Sequence, residues 1–368
     1  MYLHRLYLSN FRNYPALELE LSKGISLFVG SNGQGKTNLL EAIFYLITMR
    51  SFRSTSTEVL VSRSEISDKV ALESTEAIVR GEVFISDRKL LIEALVKKDG
   101  RAVVHLNRQK VKRRDLLDLM PISVFMPDDL VLVKGSPSDR RRFLDDALVQ
   151  INPHLETLKT DIDNILRQRN ALLRQVKSKL SIEEETTLDI WDHKFAEVGE
   201  KLCEARRDLI FQLEPYICQS YQEIAAQNTK IHLEYQAKWN QGSLHEALAM
   251  VRHEDIRRGV TTVGPHRDEL AIYIHNRPAR THASQGEQRL LALCLRLAVH
   301  RTLEEVTGES PLLLLDDVFS ELDPTRTRGV LAALSAEQTF LTTAGDLPTG
   351  LKYNSYFRVA KGQISRER

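Results

Sequence analysis

The stretch Gly30-Ser-Asn-Gly-Gln-Gly-Lys36-Thr37 fits the pattern G-x-x-x-x-G-K-[ST] of a phosphate-binding loop. Residues 25–29 before it predict a short buried strand, and residues 38–46 after it predict an amphipathic helix. Glycines let the backbone curl so that its N–H groups face phosphate oxygens, and the helix N-terminus adds positive potential. We expect Lys36 to bridge the β- and γ-phosphates of ATP and the Thr37 hydroxyl to ligate Mg²⁺. The expected nucleotide contacts of this stretch are Gly30, Ser31, Asn32, Gly33, Gln34, Gly35, Lys36, Thr37 and Asn38.

A second buried strand carries the carboxylates that such a loop requires. Residues 312–316 are four leucines followed by Asp316, the Walker B pattern, in which the carboxylate holds Mg²⁺ directly or through water. Asp317 follows and is placed to polarise the attacking water. A buried strand that ends in two aspartates by chance is the alternative. Residues 339–343 predict a last core strand, from which the Thr343 hydroxyl can reach a γ-phosphate.

A third motif, Ser284-Gln-Gly286-Glu-Gln288, opens a long helix with an apolar face. It resembles the signature motif of the ABC ATPase superfamily, in which a serine hydroxyl and a glycine N–H at a helix N-terminus face a γ-phosphate. In that superfamily two heads sandwich two ATPs, so the motif contacts the nucleotide of the partner subunit. The run from Ser320 to Asp323 resembles the D-loop, which crosses the same interface. Either motif alone would be an ordinary helix cap.

The flanking segments predict the rest of the fold. Residues 1–21 alternate apolar and polar side chains around a turn, which indicates a β-hairpin with Arg12 and Asn13 at its tip. These two side chains either reach the nucleotide or are solvated turn residues. Strand-like runs at 82–85, 90–96 and 102–106 predict an antiparallel sheet.

The middle of the chain predicts a helical hairpin. Apolar residues recur every three or four positions over 155–180 and again over 188–209, with a polar segment at 181–187. Each arm of about 25 residues would be about 38 Å long. Pro215 is expected to end or kink the second arm. The apolar seam is interpreted as the core of a structural stalk.

Together these features predict an α/β fold, an ABC-type ATPase head with a mixed sheet around the phosphate loop and an added antiparallel sheet. Residues 1–125 form the N-terminal part of this head, residues 126–260 an inserted, mainly helical lobe with a short coiled-coil-like hairpin, and residues 261–368 the C-terminal part. The residues expected to act in catalysis are Lys36, Asp316, Asp317 and Ser284, with Thr37 and Asp316 as metal ligands.

The composition is that of an ordinary globular protein. The 368 residues carry a formal net charge of +1, so any nucleic-acid contact must come from local basic patches. The three cysteines show no paired spacing, which fits reduced thiols in the cytoplasm. No apolar run approaches the length of a membrane span and the N-terminus lacks a signal-peptide core, so a cytoplasmic protein without membrane contact is expected.

The chain resembles the RecF family of bacterial DNA-repair ATPases, which are related to the SMC proteins. The residues that carry this resemblance are Asn10-Phe-Arg-Asn-Tyr14, Gly30 to Asn38, Pro127 to Asp145, Gly264-Pro-His-Arg-Asp268, Ser284-Gln-Gly-Glu-Gln-Arg289 and Leu315 to Asp323. The resemblance implies a protein that dimerises on binding ATP, binds DNA and releases it after slow hydrolysis. It also implies work with RecR and RecO in loading recombinase at gapped DNA, where single- and double-stranded segments meet.

Two departures from the wider ABC pattern indicate slow hydrolysis. Asp317 stands where transporters have glutamate, and it is one methylene shorter. Thr342 and Thr343 stand where many ABC proteins have a histidine, and a hydroxyl does not take up charge near neutral pH as histidine does.

Three related classes of protein fit the sequence less well. A transporter ATPase would lack the helical hairpin, an SMC clamp would need much longer coiled coils, and a nuclease head would carry a further acidic domain. The alternative from a different class is a non-enzymatic clamp that uses ATP only to dimerise.

Candidate DNA contacts are basic residues that would neutralise phosphates without reading sequence. These candidates are Arg50, Arg53, Lys110, Lys112, Arg113, Arg140 and Arg141. For each of them, an ordinary solvated charge is the alternative.

Overall fold

A computed structural model describes most of the chain, and two compact units divide it. The described residues are 1–53, 56, 58–62, 76–86, 88–175, 181–225, 227–239, 242–321, 324–333, 336–345 and 350–367. The first unit comprises residues 1–129, 222–227 and 299–368, and the second comprises 130–221 and 228–298.

The first unit contains an antiparallel sheet that begins with the expected N-terminal hairpin. The strands of this sheet are β1 (Tyr2–Phe11), β2 (Tyr14–Glu20), β4 (Glu76–Ile85), β5 (Arg88–Lys97), β6 (Ala102–Leu106) and β7 (Gln109–Val111). Their order is β2-β1-β4-β5-β6-β7. Alternation along β1 puts Leu6 and Leu8 on the buried face, because successive side chains of a strand point to opposite faces. Leu3 is buried as well, because the register with β4 shifts between Leu3 and Arg5. Leu8 pairs with Leu17 across the hairpin, which leaves Arg12 and Asn13 at the tip.

The same unit contains a mixed sheet that holds the phosphate loop. Its strands are β3 (Gly24–Val29), β8 (Ile122–Phe125), β12 (Leu312–Asp316), β13 (Gln338–Thr343), β14 (Ser355–Ala360) and β15 (Gln363–Glu367), in the order β15-β14-β3-β13-β12-β8. All neighbouring pairs are parallel except β14 with β15. The carboxyl ends of β3, β12 and β13 therefore meet at one edge, where parallel α/β sheets bind ligands.

Helix α1 (Lys36–Thr48) packs into the core of this unit. Eleven of its 13 residues are buried, from Lys36 to Thr48, so the amphipathic helix expected from the sequence is almost entirely enclosed. The remaining helices that lie wholly in the first unit are α2 (Arg113–Leu119) and α10 (Pro324–Ala333). Neither α2 nor the strand β7 before it was expected from the basic run 108–114.

The second unit is mainly helical and contains a small sheet. Its elements are α3 (Val131–Lys134), α4 (Pro137–Ile151), α5 (Glu156–Gln175), α6 (Ile182–Ala225), β9 (Ile231–Gln236), α7 (Leu244–Arg258), β10 (Glu269–Ile274), β11 (Arg277–Pro278), α8 (Ala279–His282) and α9 (Gln285–Thr307), with the last residues of α6 and α9 grouped with the first unit. The sheet is antiparallel, in the order β11-β10-β9.

The expected helical hairpin is present, but its second arm is longer than predicted. Helix α6 has 44 residues and continues through Pro215 to Ala225. Of the two outcomes expected for Pro215, an end of the arm is therefore wrong, and a kink stays a prediction. The helix already begins at Ile182, inside the segment 181–187 that was interpreted as a polar connection. The described part of the first arm, α5, has 20 residues, and the rest of its predicted range, 176–180, lies outside the described residues.

The two units divide the chain at other points than the sequence suggested. Residues 261–298 were assigned to the C-terminal part of the head, but they belong to the second unit. The reason is local pairing. Strand β10 pairs with β9, for example Ile272 with Leu233, so this segment folds with the residues before it.

Candidate nucleotide-binding site

The phosphate loop has the strand–loop–helix context that its sequence predicts. It leaves β3 at Val29 and enters α1 at Lys36. Gly35 has a φ of +117°, and a Cβ atom there would lie 2.5 Å from Asn13 Nδ2 and 2.9 Å from the Tyr14 hydroxyl. Only glycine fits this position, because both the backbone conformation and the close neighbours exclude a side chain.

Lys36 lies across its own loop. Its side-chain nitrogen donates to the Gly30 carbonyl at 2.6 Å and to the Ser31 carbonyl at 3.0 Å, and the residue is only 6% exposed. Burial lowers the pKa of Lys36, while the nearby carboxylates of Asp317 and Asp316 raise it. The ammonium is thus held over the loop, where a phosphate would replace its carbonyl partners.

Asp316 joins three elements of the site. Its Oδ2 accepts a hydrogen bond from the Thr37 hydroxyl at 2.8 Å, and its Oδ1 accepts one from the Thr342 hydroxyl at 2.6 Å. Asp316 and Thr342 are register partners on the parallel strands β12 and β13. Burial raises the pKa of Asp316 and the neighbouring Asp317 raises it further, while the two hydroxyls and Lys36 lower it.

Asp317 has an unusual backbone conformation that hydrogen bonds hold in place. Its φ of 48° lies in the left-handed region. The Asp317 N–H donates to both the carbonyl and the hydroxyl oxygen of Thr342, at 3.1 Å each, and one carboxylate oxygen accepts from the Ala344 N–H at 3.4 Å. Asp in this region costs little compared with bulkier residues, and such conformations cluster at functional sites.

Thr343, the predicted phosphate contact, has a different set of partners from Thr342. Its carbonyl accepts from the Gly30 N–H at 3.3 Å, and its hydroxyl accepts from the Gly345 N–H at 3.3 Å. The hydroxyl that contacts the Walker B carboxylate is that of Thr342. In the sequence, Thr342 stands out only as a departure from the ABC pattern. A contact of Thr343 with phosphate stays a prediction.

The tip of the N-terminal hairpin lies against the loop through Asn13. The Asn13 amide donates to the Gln34 carbonyl at 3.1 Å and accepts from the Asn38 amide at 2.8 Å. Arg12 instead forms a two-pronged ion pair with the fully buried Glu41 of α1, at 2.8 and 2.7 Å. The structure therefore brings both residues to the loop and its helix, and direct contact with a nucleotide stays a prediction for each.

Three further residues contact the loop and were missed by the sequence analysis. The Tyr14 hydroxyl donates to the Gly35 carbonyl at 3.0 Å. The backbone N–H groups of Lys361 and Gly362, in the turn between β14 and β15, donate to Gln34. Tyr14 belongs to the motif Asn10-Phe-Arg-Asn-Tyr14, which resembles the RecF family. No local signal links the C-terminal turn to the loop, because the strands β14 and β15 were not predicted.

In the second unit, the signature-like motif lies at the start of α9. Ser284 is exposed, and its hydroxyl accepts from the Glu287 N–H at 3.3 Å, as a helix cap does. Gln288 is 4% exposed, and its amide donates to the carbonyls of Ala279 and Arg280. Gln288 thus contacts the short helix α8 that precedes the motif, whereas Ser284 and the half-buried Gly286 are accessible. Asp323 of the D-loop-like run lies outside the described residues.

The candidate DNA contacts in the first unit differ in their surroundings. Lys110 and Lys112 are exposed on and just after the edge strand β7. Arg113 donates to the Thr48 carbonyl at the end of α1. Arg53 is exposed and donates to the Asn38 side chain at 2.9 Å, and Arg50 is half-buried.

The two candidates in the second unit are held by protein groups. Arg140 is 6% exposed and pairs with both carboxylate oxygens of Glu269, at 2.7 and 2.9 Å. Arg141 donates to the Asp268 carbonyl at 2.7 Å, and its pKa is lowered by burial. This pairing corrects the sequence-based choice of Arg140, since a buried guanidinium that is bound twice to a carboxylate is unavailable to a DNA phosphate.

The donor atoms at the phosphate loop fit a magnesium nucleotide. A hydroxyl and a carboxylate oxygen lie 2.8 Å apart in Thr37 and Asp316, and Mg²⁺ prefers such hard oxygen ligands. The ammonium of Lys36 and the N–H groups at the start of α1 supply the positive potential that phosphates require. The site is thus that of a P-loop nucleotide-binding protein.

Comparisons with known proteins place the chain within this class. Residues 2–362 match the family described as the RecF/RecN/SMC N terminal domain. The chain is 38% identical to the DNA replication and repair protein RecF of Acidothermus cellulolyticus, covering 96% of this chain and 97% of the relative. It is also 38% identical to RecF of Streptomyces avermitilis over the full length of both.

Solved structures agree with these sequence matches. A structure described as the recombination mediator protein RecF-ATP in the RecFOR pathway is 32% identical, covers 100% of this chain and 98% of that chain, and gives a TM-score of 0.88. An Smc head domain from Pyrococcus furiosus is 17% identical and covers 100% of this chain and 96% of that chain, with a TM-score of 0.58, which shows a shared fold. The chain therefore belongs to the RecF family of DNA replication and repair proteins, which is of the ABC and SMC ATPase type.

One further finding concerns membranes. Within the described ranges, no helix has both the length and the apolar character that a bilayer crossing demands.

Proposed function

We propose that this protein binds ATP with Mg²⁺, that ATP closes two copies head to head on DNA, and that slow hydrolysis releases the DNA. The observation that carries the proposal is the cluster of Thr37, Asp316 and Thr342 beside Lys36, in which residues from both ends of the chain meet. Support also comes from the RecF structure described with ATP, which matches nearly the whole chain.

Each residue of the cluster has a role in this proposal. Lys36 leaves the carbonyls of Gly30 and Ser31 to bind the β- and γ-phosphates. Thr37 and Asp316 hold the metal ion, which when bound neutralises charge on the phosphate oxygens. Asp317 orients the attacking water and accepts its hydrogen bond. Thr342 keeps both carboxylates in place, since its hydroxyl contacts Asp316 and the Asp317 backbone.

Closure of two copies would complete each site. We expect Ser284 and Gly286 of one copy to face the γ-phosphate held by Lys36 of the other, with Asp323 crossing the same interface. Support for this arrangement comes from the exposed Ser284 at the N-terminus of the 23-residue helix α9, a position where an anion is stabilised.

The DNA ligand would be double-stranded or gapped and bound without sequence preference. Lys110 and Lys112 are the best-placed phosphate contacts because both are exposed. The secondary candidates for DNA contacts are Arg50, Arg53, Arg113 and Arg141. Arg140 is not proposed as a DNA contact, because its guanidinium is bound to Glu269. RecR and RecO are the proposed partners in recombinase loading, on the basis of the family and of the RecFOR pathway named for the matching structures.

The test is light scattering of the purified protein with and without ATP and Mg²⁺. We expect wild type to shift from monomer to dimer only with ATP, and Ser284→Arg to stay monomeric while still binding ATP. Ser243→Arg is the matched control, because Ser243 caps α7 with the same geometry, accepting from the Glu246 N–H at 3.1 Å. A wild-type mass that ignores ATP, or a Ser284→Arg variant that dimerises normally, contradicts the two-head mechanism.

A second candidate is a clamp in which hydrolysis is incidental. It is favoured by the short side chain of Asp317, which the Thr342 and Ala344 contacts hold in a left-handed conformation. Lys36→Arg discriminates between the two candidates if it binds ATP without hydrolysing it. Repair that survives in this variant supports the clamp, and repair that is lost supports an enzyme that must hydrolyse ATP.

A further inference from the structure

The C-terminal hairpin of the chain runs beside the phosphate loop. Strand β14 is parallel to β3, and Arg358 pairs with Val29, the last residue before the loop. The residues after Arg358 therefore continue alongside the loop. A Cβ atom on Gly30 would collide with the Val359 carbonyl oxygen, which shows how closely the two segments approach.

The turn at the end of β14 contacts the loop directly. The Lys361 N–H donates to Oε1 of Gln34 at 2.7 Å, and the Gly362 N–H donates to the Gln34 carbonyl at 3.1 Å. The Asn13 amide donates to the same carbonyl at 3.1 Å. The backbone of Gln34 is thus held between the N-terminal and C-terminal hairpins.

This contact determines which way the loop amides point. In a trans peptide the C=O and the next N–H lie in one plane and point in opposite directions. Because the Gln34 carbonyl is fixed toward Asn13 and Gly362, the Gly35 N–H is directed to the opposite side. The Gly35 carbonyl accepts from the Tyr14 hydroxyl and from the Leu39 N–H, at 3.0 Å each, and these two bonds orient the Lys36 N–H in the same manner. Successive N–H groups turned to one side form an anion-binding concavity.

We propose that the Lys361–Gly362 turn is a positioning element of the nucleotide site, which aims the loop amides at the bound phosphates. The inference rests on the proposed ATP-binding function and assigns part of the affinity to a hairpin more than 300 residues from the loop. Gly362 is required because its φ is +72° and because a Cβ atom there would collide with the Asn13 carbonyl oxygen.

The test compares Gly362→Ala with Gly308→Ala in the full-length protein. Gly308 is the matched control, because its φ is +68° and a Cβ atom there meets nothing within 4 Å among the described residues. Both variants carry the backbone strain of alanine at positive φ. Only Gly362→Ala also puts a Cβ atom 2.2 Å from the Asn13 carbonyl oxygen, so only this variant should disturb the contact between the turn and Gln34. Binding of a fluorescent ATP analogue with Mg²⁺ is measured well below each unfolding midpoint. We expect Gly362→Ala to weaken ATP binding about tenfold, which is the effect of losing one hydrogen bond from a loop N–H to a charged phosphate oxygen. We expect Gly308→Ala to change ATP binding less than twofold.

A second variant and a second readout cover the case in which Gly362→Ala does not fold. Gln34→Met removes the acceptor of the Lys361 N–H while keeping the length of the side chain. Without nucleotide, we expect faster amide hydrogen exchange in residues 30–38 for each folded variant of the contact and no change for Gly308→Ala. If exchange and ATP affinity match the Gly308→Ala control, the positioning role is refuted. If wild type does not bind ATP, the proposed function fails, while the exchange experiment still tests the positioning of the loop.

Discussion

Replacing Thr342 with valine removes one hydroxyl from the centre of the site and keeps the shape of the side chain. This hydroxyl donates to Asp316 at 2.6 Å and accepts from the Asp317 N–H at 3.1 Å. The Asp317 N–H keeps the Thr342 carbonyl as an acceptor, also at 3.1 Å. The substitution therefore removes a hydrogen bond from the Asp316 carboxylate, whereas the Asp317 N–H keeps an acceptor.

The size of the effect follows from the burial of Asp316. Hydrogen bonds to charged groups contribute about 1.5–3 kcal/mol, and Asp316 is only 6% exposed, so water replaces the hydroxyl poorly. We expect the free energy of unfolding to fall by about 2 kcal/mol, which lowers the unfolding midpoint by about 2–5 °C. The Thr342 hydrogen bond also lowers the pKa of Asp316, so its loss raises that pKa further.

The assay combines thermal unfolding without nucleotide with ATP turnover over a range of Mg²⁺ concentrations. We expect Thr342→Val to need about tenfold more Mg²⁺ for half-maximal turnover, as about 1.4 kcal/mol of lost metal affinity would produce. In the protein without Mg²⁺, Asp316 should ionise at a higher pH in the variant, because the Thr342 hydrogen bond no longer lowers its pKa.

Thr302→Val is the matched control. The Thr302 hydroxyl is buried at 1% exposure and has no hydrogen-bond partner in the part of the chain that the structure describes, so its removal should not lower stability and should leave turnover unchanged. If Thr342→Val behaves as Thr302→Val does, Thr342 does not hold the carboxylate, and the role assigned to it is wrong.

Three further predictions concern charge. Burial raises the pKa of Asp316 above 3.8, so the stability linked to its protonated form is complete below pH 3.8 and is lost as pH rises through the raised pKa. Asp316→Asn should therefore stabilise the nucleotide-free protein at pH 7 more than at pH 4 in thermal unfolding, and should reduce ATP turnover about 100-fold. In DNA-binding titrations, replacing Lys110 and Lys112 with glutamine should weaken binding and lower its salt dependence. Arg140→Met should instead lower stability by about 2 kcal/mol, because it removes two hydrogen bonds to the Glu269 carboxylate, whose side chain is 25% exposed. It should leave DNA affinity unchanged, and weaker DNA binding by a folded Arg140→Met variant would show that Arg140 contacts DNA.

The family and the core of the site could be predicted from the sequence, because their signals are local. The phosphate loop, with its strand and helix, is a contiguous stretch in which glycine and lysine spacing determines the chemistry. The four leucines that end in Asp316 are another local signal, since they predict a buried strand with a carboxylate at its end. The start of α9 at Gln285 and the N-terminal hairpin around Arg12 were also foreseen, since caps and alternation are written in neighbouring residues.

The length of α6 and the buried state of Arg140 could not be read in this way. Proline disfavours a helix interior, yet α6 continues past Pro215, since tertiary packing overrides local propensity. Arg140 belonged to a basic run that is typical of a solvated face, and its partner Glu269 is 129 residues away. Neither the continuation of α6 past Pro215 nor the burial of Arg140 is indicated by the residues next to it in the sequence.

What the sequence alone determined is the set of groups that this protein brings to a nucleotide, namely the loop, its lysine and the Walker B aspartate. What only the tertiary structure decided is how these groups are held: by Thr342 on the neighbouring strand, by Asn13 and Tyr14 of one hairpin, and by the Lys361–Gly362 turn of another. The physical reason is that side-chain chemistry and local periodicity are properties of neighbouring residues. The orientation of a carboxylate or a peptide plane depends instead on hydrogen bonds from residues that only the strand order brings together.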